Sequence, residues 1–270
     1  MFTRTTGLLI VPLWLASMGW LVAHDVWPGV TAQEPPRVTA TDWLKSEGRE
    51  AQFSIHNGRE KLGTIWTTYL IDRASIQRED LIWLERLPVD IAPLRIVGDS
   101  TFSVDGRLDE FTLTLRNNNT SLRLHGERFH TDFSFTLEGT GLKKRKTFKL
   151  PLDEGMIAGA FNPFGQLTDL EVGRRWRMQV FNPVAVVTGL GERFLPLLVE
   201  VTGRERIITP AGEMDCFIVE SSNTKAWVDG HGAVQVQEVQ LPVMGKISVV
   251  REAEVDAAAR TKARTELFLR

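Results

Sequence analysis

The chain has 270 residues, of which 43% are hydrophobic and 24% charged, so a packed core is possible without disulfides. Its 32 lysines and arginines nearly balance 34 aspartates and glutamates, which excludes the strongly basic surface typical of nucleic-acid-binding domains. Cys216 is the single cysteine, which excludes an internal disulfide and a cysteine-rich metal site.

The N-terminus contains an uncharged apolar run at residues 8–23, preceded by Arg4. This layout predicts a secretory signal or a signal anchor whose positive end stays in the cytoplasm. The run is near the lower limit of the roughly 17–25 residues that span a bilayer. Val30-Thr31-Ala32 resembles a cleavage site, but it lies far from the apolar run, so we favour retention as an anchor over cleavage and release.

The chain is predicted to divide into three parts. Residues 1–32 are the signal anchor or signal peptide, residues 33–49 a linker, and residues 50–270 an extracytoplasmic β-domain. The linker begins Gln33-Glu34-Pro35-Pro36, and residues before proline favour extended backbone. The expected location is therefore the cytoplasmic membrane, crossed once, with the C-terminal domain in the periplasm, or the periplasm itself if the segment is cleaved.

From Glu50 onward the hydrophobic pattern has a period of two residues. Phe133, Phe135 and Leu137 alternate with polar residues, and residues 175–180 and 197–202 repeat the pattern. Such runs have one buried and one wetted face, as in antiparallel sheets. The sequence predicts a mainly β fold: an antiparallel meander forming a curved half-barrel or barrel, with an N-terminal hydrophobic helix and a short C-terminal helix.

Local signals refine this prediction. Asn57-Gly58, Asp105-Gly106 and Asp229-Gly230 are typical of hairpin turns, and Pro210-Ala211-Gly212 predicts another. The apolar phase slips by one residue within 234–241, which predicts a β-bulge near Gln237-Glu238. The tail at 251–270 has good helix propensity, and Asp256 is spaced to pair with Arg260.

The order of these signals resembles a known group of proteins. The motifs that carry the resemblance are Asn57-Gly58, Leu62-Gly63, Val201–Glu205, Pro210–Gly212, Ala226–Asp229 and Gly232–Val234. They resemble the uncharacterised bacterial periplasmic β-domains that occur alone or N-terminal to transglutaminase-like domains. The outline is also similar to the half-barrels of periplasmic lipoprotein carriers. The resemblance implies a curved β fold over most of the chain after Glu50, and it implies no functional residues.

No residues of catalytic or metal-binding type are predicted to act together. Cys216, His231 and Asp229 are the types of a thiol nucleophile with its base and orienting group. However, Cys216 lies in a strand interior, which favours a buried, inert thiol. The five histidines lack metal-site spacing, so we expect no enzyme, no cofactor and no metal. The basic run 143–146 predicts a solvated strand edge or, alternatively, a contact with anionic headgroups.

The aromatic residues of the predicted strands are the candidate ligand-binding residues. If the sheet is open, they are expected to line an apolar concavity; they are Trp66, Trp83, Phe133, Phe135, Trp176 and Trp227. The predicted function is a membrane-anchored envelope domain that binds an apolar or lipid-like ligand. The alternative is an accessory domain for an envelope protein related to transglutaminases or proteases. Nucleic acid is not expected as a partner.

Overall fold

The computed structural model describes residues 33, 36, 50–72, 75–86, 93–117, 120–130, 132–140, 145–151, 156–157, 167–181, 194–241 and 245–268. Fifteen strands form one curved sheet that does not close. The strands are β1 (Glu50–Asn57), β2 (Glu60–Ile71), β3 (Ser75–Leu84), β4 (Leu94–Ser103), β5 (Leu108–Arg116), β6 (Ser121–Phe129), β7 (Asp132–Gly139), β8 (Lys146–Pro151), β9 (Met156–Ile157), β10 (Arg175–Phe181), β11 (Phe194–Thr209), β12 (Gly212–Glu220), β13 (Thr224–Val228), β14 (Val234–Leu241) and β15 (Gly245–Arg251).

The sheet consists of two meanders joined by their first and last strands. The first runs from β1 to β8 and the second from β10 to β15, and β1 pairs with β15 in the middle of the sheet. Every described pair of strands is antiparallel except β9 with β10. The predicted antiparallel β architecture is confirmed, together with its curvature and its short C-terminal helix.

The hairpin predictions are confirmed at all four turns. Gly58 and Gly106 have φ of 60° and 82° at the ends of β1 and β4, and Gly212 has φ of 116° after Pro210-Ala211. At the fourth turn the positive φ belongs to Gly232 rather than to Gly230.

Cross-strand register defines an inner face that is mostly apolar. One row of register partners on it is Phe53, Ile65, Ile82, Ile96 and Leu115. Three buried clusters lie along this face, around Trp176 and Val199, around Phe53 and Ile82, and around Phe133 and Phe135. Because a sheet with one apolar face must cover it, the burial of these rows is consistent with the curvature of the sheet.

The outer face is mostly polar, apart from a patch covered by the one described helix, α1 (Ala257–Phe268). Trp66 and Leu81 are buried there against Ala263 of α1. Two ion pairs hold the helix against the sheet. Arg260, near the start of the helix, contacts Glu50 of β1 at 2.8 Å, and Glu266, near its end, contacts Arg95 of β4 at 2.9 Å. This apolar patch explains why β2 is buried on both faces under the helix.

Two local predictions were wrong in detail. The bulge lies at Gln235 rather than at Gln237-Glu238, because Val234 and Val236 pair with the consecutive residues Val228 and Trp227. Asp256 does not pair with Arg260 through its side chain; its Oδ1 accepts a hydrogen bond from the Ala259 amide at 2.9 Å and caps the helix.

The predicted N-terminal helix at residues 8–23 lies outside the described residues. Within the described ranges, no helix combines the length and the apolar character needed to cross a membrane.

A buried ion pair interrupts the apolar inner face. Arg78 and Asp80 both project inward from β3, with Arg78 Nε 2.8 Å from Asp80 Oδ2. Thr67 of β2 donates a hydrogen bond from its hydroxyl to Asp80 Oδ1 at 2.6 Å. The Arg78 side chain is 7% exposed, so the pair is shielded from water and the Asp80 carboxylate helps to compensate the buried positive charge.

We predict that Asp80→Asn lowers the free energy of unfolding by about 3 kcal/mol, because it removes the carboxylate charge that lies 2.8 Å from the buried Arg78 guanidinium. Urea unfolding measures the effect. The control Glu60→Gln removes one partner of the exposed Arg86 pair and should change stability by less than about 1 kcal/mol. Equal effects of the two changes would contradict the assignment.

Gly126 of β6 allows a cluster of phenylalanine rings to form. A Cβ at Gly126 would lie 2.6 Å from Phe133 Cε1 and would also collide with the Phe111 ring. The same face of β4 offers a contrasting position, since a Cβ at Gly98 would meet its nearest neighbours at 3.8 Å. The absence of a side chain is therefore required at Gly126 and tolerable at Gly98.

We predict that Gly126→Ala destabilises the domain by about 1–3 kcal/mol through overpacking, whereas Gly98→Ala does so by much less. Thermal unfolding of the two variants beside the parent protein measures the difference. A Gly126→Ala variant as stable as Gly98→Ala would show that the rings move aside freely.

Candidate functional site

The six aromatic residues predicted to line a concavity do not share one surface. Phe133, Phe135 and Trp176 lie on the inner face, and Trp66, Trp83 and Trp227 lie on the outer face. The register row Trp227, Val236, Val250, Ser54, Thr64 and Trp83 places the two end residues on the same outer side. As ligand-binding residues the six stay a prediction, but they do not form a single lining.

The outer tryptophans make specific contacts within the domain. Trp66 Nε1 donates a hydrogen bond to Gln52 Oε1 at 2.8 Å, and the same oxygen accepts one from the Asp256 amide. Trp83 stacks under the Arg95 guanidinium, whose carbon lies 5.3 Å from the ring centroid. Trp227 Nε1 donates to Glu205 Oε2 at 2.8 Å. These contacts position α1 and neighbouring strands on the outer face.

The inner aromatic residues are closely packed. Phe133 and Phe135 are fully buried, with ring centroids 5.3 Å apart, and Phe111 stacks on Phe133 at 5.7 Å. Trp176 is buried with Met178 and Val199 at the other side of the sheet. The inner face is therefore apolar on both sides of its centre.

At the centre of the inner face lies Gln237 of β14, which the prediction of ligand-binding residues did not include. Its register partners are Ala226 of β13 and Val249 of β15, so it separates two of the apolar clusters. The residue is 2% exposed, and its Nε2 has no hydrogen-bond partner in the structure. Leaving a buried donor unsatisfied costs about 1–3 kcal/mol, so this position calls for an explanation.

A cationic residue lies beside this amide. Arg251 of β15 is on the same face two residues beyond Val249, which makes it the diagonal neighbour of Gln237. Such neighbours are about 7–8 Å apart at their Cα atoms. The Arg251 guanidinium carbon lies 5.8 Å from the centroid of the Phe53 ring. We call Gln237, Arg251 and the flanking Phe53, Ala226 and Val249 the Gln237 site.

The Gln237 site has the composition of a ligand site: mostly apolar walls with a few polar groups. Gln237 Nε2 offers a hydrogen-bond donor, and Arg251 adds positive charge. Together they suit an apolar molecule that ends in an oxygen acceptor, such as a carboxylate or an ester carbonyl. The sequence signal for this site was the slip in apolar phase, which we attributed to a bulge.

The residue types of a thiol nucleophile are not arranged as one. Cys216 is buried in β12, and burial raises the pKa of its thiol to about 11, with smaller contributions from the negative charges of Asp229 and Asp215. Asp229 organises the β13–β14 turn, where its Oδ1 accepts hydrogen bonds from the backbone amides of His231 and Ala233. Its Oδ2 accepts one from Gln235 Nε2.

The described histidines lie at separate places on the sheet. His125 Nδ1 is 3.2 Å from the Thr112 hydroxyl, and His130 occupies the β6–β7 turn with φ of 57°. Across the part of the chain that the structure describes, no three His, Cys, Asp or Glu residues come close enough together to hold a metal ion.

Comparison with known proteins shows a likeness of fold. No protein-family model matches the sequence, and no curated protein matches it. A solved structure with a similar fold is the β-barrel-like protein of the domain of unknown function DUF1849 from Brucella abortus. The alignment has 7% identity and a TM-score of 0.48, and it covers 75% of this chain and 94% of that one. At this level of similarity no residue role transfers.

We predict that Cys216 resists alkylation in the folded protein, because a pKa of about 11 leaves about one thiol in a thousand ionised at pH 8. The native thiol keeps its proton between the ordinary pKa of 9.0 and about 11, where the unfolded chain loses it. Stability should therefore fall as pH rises through this window. Iodoacetamide labelling with and without urea tests the prediction, and rapid labelling of the folded chain at pH 8 would contradict it.

Proposed function

We propose that this protein is a membrane-attached domain of the cell envelope that binds an apolar, lipid-like ligand on its inner face and has no enzymatic activity. The observation on which the proposal depends is the buried, unpaired amide of Gln237 in an apolar surrounding. The apolar run at residues 8–23 supports attachment to the cytoplasmic membrane, with the β-domain in the periplasm.

The contacts of the Gln237 site suggest the chemistry of the ligand. An acyl chain would extend over the apolar rows of the inner face, which include Ile55, Ile247 and Val249. Its oxygen-bearing end would accept a hydrogen bond from Gln237 and approach the positive charge of Arg251. A ligand of this class would supply an acceptor for the side-chain amide of Gln237, which has no partner among the described residues. The polar end of the ligand would in turn be paired with Gln237 and would not lie unpaired in the interior.

The position of Gln237 also argues against a purely structural role. A structural glutamine on an inner face would bind a neighbouring polar group, as Gln235 does with Asp229 at 2.8 Å. Gln237 instead faces alanine and valine in both adjacent strands. A leucine at this position would pack at least as well and would remove the desolvation penalty.

We predict that Gln237→Leu lowers the amount of bound lipid about tenfold, which corresponds to the loss of a hydrogen bond with a charged or strongly polar acceptor. The full-length protein is purified from membranes, and its organic extract is quantified by mass spectrometry. A fluorescent fatty acid gives the corresponding affinities. The same substitution should leave the urea midpoint unchanged or raise it, because the unpaired donor is removed.

Gln240→Leu is the matched control, since Gln240 belongs to the same strand but is exposed on the outer face. It should leave lipid binding unchanged. An empty extract, or equal binding by both variants, would overturn the proposed ligand. If an envelope protein co-purifies in place of lipid, the accessory role is favoured instead.

A further inference from the structure

The exposed large hydrophobic residues are concentrated at one end of the sheet. Of the six such residues that the structure describes, Leu198 alone lies in mid-strand. The other five lie at or beside the ends of strands; they are Leu70, Val104, Phe129, Val172 and Ile208. Single exposed hydrophobic residues need no explanation, but a group at one edge marks an interaction surface.

Strand direction shows that these five residues share an end. Because neighbouring strands are antiparallel, the turns after β2, β4, β6 and β11 all lie at the same end of the sheet. Leu70, Val104, Phe129 and Ile208 lie at these four turns, and Val172 precedes β10, which starts on that side. We call this end, defined by those five residues, the apolar end.

One hairpin extends beyond its two neighbouring strands at the apolar end. The hairpin is formed by β11 and β12, which are flanked by β10 and β13. Pairing with β13 stops at Phe217 of β12, and pairing with β10 starts at Glu200 of β11. The segment Glu205–Cys216 therefore has no further strand on either side. A ribbon of this length extends about 15–20 Å at roughly 3.3 Å per residue. Ile208, near its tip, is 87% exposed.

Gln33 lies at the same end of the sheet. It forms a parallel bridge with Trp176, and its amide donates a hydrogen bond to the Arg175 carbonyl at 2.8 Å. Because β10 begins at the apolar end, Gln33 lies beside the first two residues of that strand and runs in the same direction. Nine residues lie between Gln33 and Ala23, the last residue of the apolar run, so the two are at most about 36 Å apart.

The opposite end of the sheet presents a different surface. The turn between β7 and β8 lies there, and the described basic residues at its end, Arg145 and Lys146, are exposed, with Arg145 3.2 Å from Glu138. The two ends therefore offer alternative contacts with a membrane, one apolar and one basic. The chain direction at Gln33 favours the apolar one.

We propose that the apolar end of the sheet rests on the lipid bilayer, with the Glu205–Cys216 ribbon and the turns at Val104 and Phe129 inserted among the headgroups. This inference depends on the proposed membrane attachment and not on ligand binding. It orients the β-domain, so that the basic run points away from the membrane. Insertion of apolar side chains to about 5–10 Å is typical of proteins that lie in the interfacial region.

Depth-dependent quenching tests this orientation in the full-length protein. Single cysteines at Val104→Cys, Phe129→Cys or Ile208→Cys are labelled with a polarity-sensitive fluorophore, and the unsubstituted chain shows the background from buried Cys216. Vesicles contain phosphatidylethanolamine and phosphatidylglycerol, with or without acyl-brominated lipid. At these positions we expect a blue-shifted emission and quenching at least about twofold stronger than at control positions.

Arg59→Cys and Thr140→Cys are the controls, because both positions are exposed turns at the opposite end. Phe129→Ser combined with Ile208→Ser should reduce quenching at Val104→Cys, and both changes affect exposed side chains that the fold does not need. Vesicle flotation of each variant checks membrane attachment separately.

Four outcomes would overturn the inference. Quenching at Thr140→Cys and not at Ile208→Cys would place the basic end on the membrane. Unquenched probes at both ends of a chain that floats would show a domain held away from lipid. Probes shielded from iodide but not quenched by brominated lipid would indicate contact with a second copy. Failure to float would remove the proposed attachment as well, whereas the other three results leave it intact.

Discussion

The whole structure depends on one constraint: a sheet with an apolar face must keep that face out of water. Among the described residues the one helix, α1, lies on the outer side. The inner rows are nevertheless buried, from Trp176 at one side to Phe133 at the other. The fifteen described strands form a curved sheet, and the right-handed twist of neighbouring strands favours that curvature.

The sequence allowed the strands and most of the turns to be predicted, but not the assignment of aromatic residues to faces. Alternation around Phe133 and Phe135 is visible locally because only one side of β7 is buried. In β2 both sides are buried, so the period of two disappears around Trp66. Which side faces inward depends on register with strands far away in sequence, and no local pattern contains that information. The Gln237 site could not be predicted for the same reason. In the sequence, a glutamine on the buried face looks like a one-residue shift in the alternation of apolar and polar residues.

Two polar features of the inner face differ in how they are satisfied. Asp80 is bound by both Arg78 and Thr67, so its buried carboxylate has its partners within the protein and needs no ligand. The Gln237 amide has no such complement. In a low-dielectric interior, an incomplete polar group is costly and a complete one confers rigidity. The contrast between these two sites is the reason for treating the first as part of the fold and for proposing a ligand at the second.

The pairing of β1 with β15 has a consequence for how the domain is assembled. These two strands come from opposite ends of the domain sequence, about 190 residues apart, yet they form the seam at the middle of the sheet. A chain synthesised from its N-terminus holds an unpaired β1 edge until its final strand arrives. Each meander can form early from local hairpins, whereas joining them requires closure of a long loop, which is slow. During that interval the unpaired edge of β1 is open to pairing with another chain.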